Sequence, residues 1–220
     1  MKGKNKSVTV IVYLCIFYSL WAVNEFILKD ALNETIENQV LCQLVKTALI
    51  KNLVWSLPAV LLIRHFKDSV SIPLREMFTS KVQWSRYLPV FGIFTGYIIG
   101  GFIISKAPLN ISETFSAEEF IVFLFVGATE ELVFRGWLLN IMYHEDKKYQ
   151  CIFVNSLMFL AIHFPKWIHD GIFITSFTGF GFVGIIILSF IFSLAFIKSR
   201  NIFVPIALHM YWDLLLFLIY

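Results

Sequence analysis

The sequence predicts an all-α, polytopic membrane protein of about seven transmembrane helices. Of its 220 residues, 58% are apolar and only 15% are charged, whereas about a quarter of the residues in soluble domains are charged. The 24 phenylalanines are more than a water-exposed protein of this size could bury. The apolar residues also lie in long blocks, and a helix of about 20 such residues crosses a bilayer. The lipid bilayer is therefore the predicted solvent.

Seven apolar blocks are predicted to span the membrane. The first block follows Lys2, Lys4 and Lys6, and the apolar part of a signal peptide also follows basic residues. Its apolar run is too long, however, and no small-residue cleavage site follows, so a retained anchor is predicted. The blocks comprise residues 8–28, 41–63, 88–104, 120–143, 150–164, 172–197 and 202–220.

The distribution of Lys and Arg predicts the orientation of these spans. Twelve of these cations lie in segments on the N-terminal side of the membrane, three lie on the opposite side, and three fall inside spans. Because cations concentrate in cytoplasmic segments, the N-terminus is predicted to be cytoplasmic. The compact chain without a targeting segment indicates a bacterial cell membrane. Topology also explains the net charge of +3, so no nucleic-acid partner is expected.

No internal repeat or flexible linker divides the chain, so a single membrane domain, 1–220, is predicted. The longest polar stretch, 64–87, is predicted to lie at the cytoplasmic interface as an amphipathic segment. Gly92, Gly96 and Gly100 form a doubled GxxxG pattern, which lets two helices approach closely in lipid. The partner is either a second copy of the chain, giving a homodimer, or another helix of the same chain, which is the commoner case.

Ionisable residues in the fourth apolar block point to a functional site, because charges inside a bilayer are costly. Glu131 and Arg135 are four residues apart and therefore within ion-pair reach on one helix face. This pair is expected to support the site's geometry. Glu130 lies about 100° further around the helix and has no cation at i+4, where Phe134 stands. It is therefore the better candidate for a general base.

Two later blocks supply histidines. His209 and Asp213 are four residues apart, so the carboxylate can orient the imidazole. His163 ends another apolar run. Either histidine alone is often only a hydrogen-bonding residue between helices, but together with Glu130 they can support hydrolysis. Glu130 could activate water, alone or with His163, while His209 and Asp213 stabilise an oxyanion. The same Glu, His and His side chains could instead bind Zn²⁺, and the residues leave both options open.

Lys46 and Lys51 in the second block have two interpretations. They either flank a span that is shorter than the apolar block, or they line the interior of the helix bundle. Buried Glu and His could also relay protons in a small carrier. Carriers are commonly built from repeated halves with broken helices, however, and no such repeat is found. No GxS or GxGD motif is present for two other classes of intramembrane protease.

Three motifs in order resemble those of the CPBP family, which includes CAAX prenyl proteases and bacteriocin-processing or immunity (Abi) proteins. Residues 130–136, EELVFRG, resemble the EExxxR motif. Residues 159–163, FLAIH, resemble FxxxH. Residues 205–213, PIALHMYWD, resemble the HxxxN/D motif with its preceding Pro-Ile. The resemblance covers about 120–213, whereas the first three spans are similar to the family in hydropathy alone.

The resemblance implies an intramembrane endopeptidase acting on membrane-associated or lipid-anchored peptides. It makes Glu130 and His163 the activators of water, His209 and Asp213 the oxyanion or metal partners, and Glu131 and Arg135 supporting residues. Bacteriocin or signal-peptide processing, or self-immunity, is expected by analogy. The alternative is a non-catalytic immunity or binding protein that keeps the motifs for structure.

Overall fold

A computed structural model of the chain describes residues 2–106, 112 and 116–219. The structure is 85% helical, and the described residues contain no strand. This confirms the predicted all-α class. The helices are α1 (Lys2–Val23, a π-helical turn at Asn24–Leu28, and Lys29–Thr35), α2 (Gln39–Gln43, π-helical segments at Leu44–Ile50 and Asn52–Ser56, and Leu57–His65), α3 (Leu74–Thr79), α4 (Leu88–Ser105), α5 (Ala117–Glu131, π-helical Leu132–Leu139, and Asn140–Met142), α6 (Lys148–Ala161), α7 (His163–His169), α8 (Phe173–Thr178), α9 (Gly181–Ser199) and α10 (Phe203–Ile219).

The chain is a multi-pass membrane protein. Helices α1, α2, α4 and α9 and the joined pair α6–α7 are long and apolar enough to cross a bilayer. Helix α10 is apolar but shorter. Helix α5 carries Glu130, Glu131 and Arg135 and therefore differs in composition from an ordinary span. Five helices thus meet both criteria in the described part of the chain, and seven crossings stay a prediction.

One of the predicted spans is irregular in the structure, and another is divided. In the block 150–164 the regular α-helical hydrogen bonding lapses at Ile162, between α6 and α7, although Ile162 keeps helical φ and ψ angles. Pro165 explains this, because its nitrogen has no hydrogen to donate to the preceding turn. The block 172–197 divides into α8 and α9 at Phe180, whose φ is +60°. Gly179 precedes this residue, and a Cβ atom there would lie only 2.9 Å from the Thr175 carbonyl oxygen, so the turn favours glycine at 179.

Segments that the charge pattern predicts on one side of the membrane contact one another. At the predicted external side, the Asp30 Oδ2 of α1 lies 3.1 Å from the His169 Nε2 of α7. On the opposite side, the Ile72 N–H donates to the Asn140 side chain at 2.7 Å, and the Asn140 amide donates back to the Ile72 carbonyl at 2.8 Å. The helix ends are therefore tied together in pairs on each side of the bundle.

The predicted interfacial stretch folds against the turn between α9 and α10. The Glu76 carboxylate of α3 pairs with the Arg200 guanidinium, and this hydrogen bond lowers the pKa of Glu76. The Asn201 side chain donates to the Ser80 carbonyl at 2.7 Å, and the Ile202 N–H donates to the Met77 carbonyl at 2.9 Å. These contacts hold α3 at the same end of the bundle as the α9–α10 turn.

The glycines of α4 make no close helix contact among the described residues. A Cβ atom built on Gly92, Gly96 or Gly100 would meet no described atom within 4 Å. The interpretation as internal packing, the commoner use of this pattern, is therefore wrong for the described residues. A homodimer contact through these glycines stays a prediction.

Candidate active site

Helix α5 places two adjacent carboxylates at the centre of the bundle. Its first turn is capped by the Ser116 hydroxyl, which accepts from the Glu119 N–H at 3.4 Å. Glu131 is fully buried, and Glu130 is 6% exposed. The helix becomes π-helical directly after them, and the Asn155 amide of α6 donates to the Phe134 carbonyl at 2.8 Å. This contact supplies a partner for a backbone group in the irregular segment.

Glu131 and Arg135 form the ion pair that their spacing predicts. The Arg135 Nη1 donates to the Glu131 Oε1 at 2.9 Å, and neither side chain is exposed. The Arg135 Nη2 donates to the carbonyl and hydroxyl of Ser189 on α9, at 3.0 and 2.8 Å. The guanidinium also lies 4.6 Å from the Phe159 ring centroid. Arg135 therefore connects α5, α6 and α9.

His209 is held against the same carboxylate. Its Nδ1 lies 2.8 Å from the Glu131 Oε1, and its Nε2 lies 3.6 Å from the Asp213 Oδ2, one turn later on α10. Its ring stacks on Phe192 with centroids 5.0 Å apart. Asp213 thus faces its predicted partner, but Glu131 makes the closer contact with the imidazole.

The approach of α5 to α10 depends on Gly127, which the sequence did not single out. A Cβ atom at this position would lie 2.9 Å from the Met210 Cγ and 3.3 Å from the Met210 backbone nitrogen. Any larger residue would push the two helices apart. Because Gly127 is one turn before Glu131, this close crossing brings His209 within hydrogen-bond distance of Glu131.

His163 begins α7 immediately after the irregular residue Ile162. Its Nδ1 lies 3.1 Å from the Phe159 carbonyl. Since a carbonyl only accepts, Nδ1 is the protonated nitrogen in the neutral ring. No hydrogen bond to Nε2 occurs within the described part of the chain. His163 therefore has a free proton acceptor.

The four predicted catalytic residues line one cavity of about 450 Å³. Its walls come from α1, α2, α5, α7 and α10. The cavity residues relevant to chemistry are Glu130, His163, His209 and Asp213. Glu131 and Arg135 lie behind this wall and contact it through His209. A shared cavity can satisfy several polar groups that would each be costly in lipid.

Part of the chain is similar to a known protein family. Residues 113–215 match the family model described as type II CAAX prenyl endopeptidase Rce1-like. Residues 113–215, just under half of the chain, are thus similar to an Rce1-like domain, and this segment is referred to as the Rce1-like domain. This confirms the family resemblance of the three motifs, and at the level of the family it indicates an intramembrane endopeptidase. No curated protein and no solved structure matches the chain.

A lysine from outside the Rce1-like domain completes the cavity. The Lys51 Nζ of α2 lies 3.6 Å from the Glu130 Oε1, and it is 4.7 and 4.8 Å from the ring centroids of Trp21 and Trp55. Glu130 has no cation on its own helix, as predicted, but Lys51 of α2 supplies a cation from a neighbouring helix. Lys46 lines the same cavity. Both lysines therefore line the interior, which was one of their two interpretations.

The described residues of the Rce1-like domain do not form a zinc site. Glu130, His163 and His209 were the candidate ligands. In the ranges that the structure describes, no three His, Cys, Asp or Glu side chains are grouped so that they could hold one metal ion. The Nδ1 of His209 is already bonded to Glu131, and its Nε2 faces Asp213. As placed, these side chains do not fit a metal.

Proposed function

We propose that this protein is an endopeptidase that hydrolyses membrane-associated peptides with a water molecule activated by Glu130. The observation that carries the proposal is the single cavity inside a membrane helix bundle, lined by Glu130, His163 and His209. The match to an endopeptidase family supports the same reaction class. The proposed active unit is the whole chain as one membrane domain, because α1 and α2 contribute Trp21 and Lys51 to the cavity.

The proposed reaction begins with water between Glu130 and His163. The Glu130 carboxylate takes a proton from the water, and the resulting hydroxide attacks the carbonyl carbon of the peptide bond. The unprotonated Nε2 of His163 accepts a hydrogen bond from the same water and orients it. The carbon–nitrogen bond then breaks, and the proton held by Glu130 passes to the leaving amine. One water is consumed, and the products are a carboxylic acid and an amine.

His209 stabilises the negative charge that develops on the carbonyl oxygen. An imidazole between two carboxylates, Glu131 and Asp213, can carry a proton on each nitrogen. Its Nε2 lies 3.6 Å from the Asp213 Oδ2, too far for a hydrogen bond, so the Nε2–H can donate towards the cavity. Arg135 holds Glu131 in place from the opposite side. Lys51 positions the Glu130 carboxylate by the ion pair at 3.6 Å. These charges are fixed before the substrate enters, which is what makes such stabilisation effective.

The substrate is proposed to be a peptide held at the membrane, either by its own apolar sequence or by a lipid anchor. The cavity lies within helices that cross the bilayer, so a substrate reaches it from the lipid or from the membrane surface. Processing of a bacteriocin or signal peptide, or immunity to a bacteriocin, is the proposed biological role. This step rests on analogy with the family.

The proposal predicts cleavage by the purified protein in lipid vesicles. Membrane-anchored peptides should yield two fragments whose summed mass exceeds the substrate by one water, measured by mass spectrometry. Glu130→Gln should lower the rate by about 10²–10⁴-fold, because an amide cannot take the proton. Glu118→Gln is the matched control, since Glu118 lies near the start of α5 away from the cavity. Lys51→Met should be slow and Lys51→Arg should recover activity, because arginine keeps the charge.

A folded protein with an unchanged biological effect in the Glu130→Gln variant would overturn the proposed reaction. It would favour the alternative of a non-catalytic immunity or binding protein. Equal loss in Lys51→Met and Lys51→Arg would mean that the shape of the lysine, not its charge, is what the site needs.

The protein is further proposed to lie in the cell membrane with a cytoplasmic N-terminus, on the basis of the lysine and arginine distribution. Single cysteines at Ser69 and Glu37, both exposed in loops between helices, report on the two sides. In a background without native cysteines, an impermeant thiol reagent added to intact cells should label the cysteine at 37 and spare the one at 69. The reverse labelling would invert the orientation, and labelling of both would contradict the alternation of spans.

A further inference from the structure

Lys46 lies on the cavity wall, and within the described ranges no carboxylate is within ion-pair distance of it. Its Nζ donates instead to the neutral Asn33 Oδ1 at 2.8 Å. The other lysines of the cavity wall each have an acidic partner. These pairs are Lys29 with Glu25, Lys51 with Glu130, and Lys166 with Asp170. Lys46 therefore contributes a positive charge that no neighbouring carboxylate offsets.

A π-helical turn directs this charge into the cavity. The Lys51 N–H donates to the Lys46 carbonyl, five residues earlier, which is the hydrogen bond that defines a π-helix. In an α-helix, residues five apart point about 140° away from each other. The π-helical turn brings Lys46 and Lys51 onto the same side of α2, and both line the cavity. Such turns are frequent at functional sites.

We infer that Lys46 binds an anionic group of the peptide substrate, one π-helical turn before Lys51, the residue that pairs with Glu130. This inference rests on the proposed function and names a feature of its substrate. The anion is a carboxylate, either the C-terminus of the peptide or an Asp or Glu side chain. A charge-assisted hydrogen bond from the ammonium favours such a group over a neutral one. Lys51 cannot serve as the same site, because Glu130 already occupies it.

Three peptides of one sequence distinguish the sources of the carboxylate. The first has a free C-terminus and no acidic side chain, the second has an amidated C-terminus and one Glu, and the third is amidated with Gln in place of that Glu. The wild-type protein should favour one of the first two over the third by about ten- to a hundredfold in kcat/KM, mainly through KM. Lys46→Met should reduce this ratio to nearly one. Lys46→Glu should favour a matching peptide with Lys in place of Gln.

Lys106→Met is the matched control, because Lys106 is exposed at the end of α4 on the same predicted side and does not line the cavity. It should keep the preference for the anionic peptide. Binding of the same peptides is also measured with the His163→Ala variant, because slow cleavage keeps the peptides intact. This variant leaves the pair of Lys51 and Glu130 in place. A preference in binding that depends on Lys46, without cleavage by the wild type, would support the anion site and refute the peptidase. Cleavage whose preference is unchanged in Lys46→Met would refute the anion site alone.

Discussion

Replacing either Glu130 or His163 by alanine is expected to lower peptide cleavage by about 10²–10⁴-fold, and replacing both should lower it little further. The two side chains line one cavity and are proposed to share one water. If one is lost, the other has no correctly placed water to act on, so the second loss has little left to remove. Residues that act as one catalytic unit show this non-additivity. The measurement is single-turnover cleavage in vesicles by Glu130→Ala, His163→Ala and the double variant.

His169→Ala is the control for the histidine. Its ring is partly exposed at the end of α7, where it pairs with Asp30 and Asp170, and it does not line the cavity. This variant should cleave at the wild-type rate. If the fold-reductions in cleavage rate of the two single variants multiply in the double variant, Glu130 and His163 act independently. Undiminished cleavage by His163→Ala would remove this histidine from the mechanism.

The parts of the site that follow from local geometry could be predicted from the sequence. The ion pair of Glu131 with Arg135 needs only the i,i+4 spacing of a helix, and the irregular helix after Glu131 still keeps it at 2.9 Å. The absence of a cation for Glu130 on its own helix followed from its position about 100° around the helix from Glu131. The contact of His209 with Glu131 did not, because it depends on how closely two distant helices cross at Gly127.

Residues contributed by other helices could not be predicted in the same way. Lys51 was visible as a cation in an apolar block, but its pairing with Glu130 requires knowing that α2 packs against α5. The π-helical turn that aligns Lys46 with Lys51 has no sequence signal in an apolar run. Ser189 gave no signal either, since a serine in a membrane helix is common. The helix irregularity at Ile162 did have a sequence signal, because Pro165 follows it.

Arg135→Ala is expected to destabilise the fold by about 3–5 kcal/mol, because it leaves the buried Glu131 carboxylate without its cation. It also removes the two hydrogen bonds to Ser189 and so loosens α5 from α9. Thermal unfolding in detergent and the yield of folded protein measure this effect. Cleavage should fall too, since Glu131 positions His209.

The exposed ion pair of Glu76 with Arg200 is the matched control, as it joins the same residue types. These side chains are 37% and 48% exposed, whereas Glu131 and Arg135 are both fully buried. Arg200→Ala should therefore cost about 1 kcal/mol or less. Adding Glu131→Gln to Arg135→Ala should recover part of the stability, because the buried charge is then gone, without recovering cleavage. Equal melting of Arg135→Ala and the wild type would show that the buried pair does not hold these helices together.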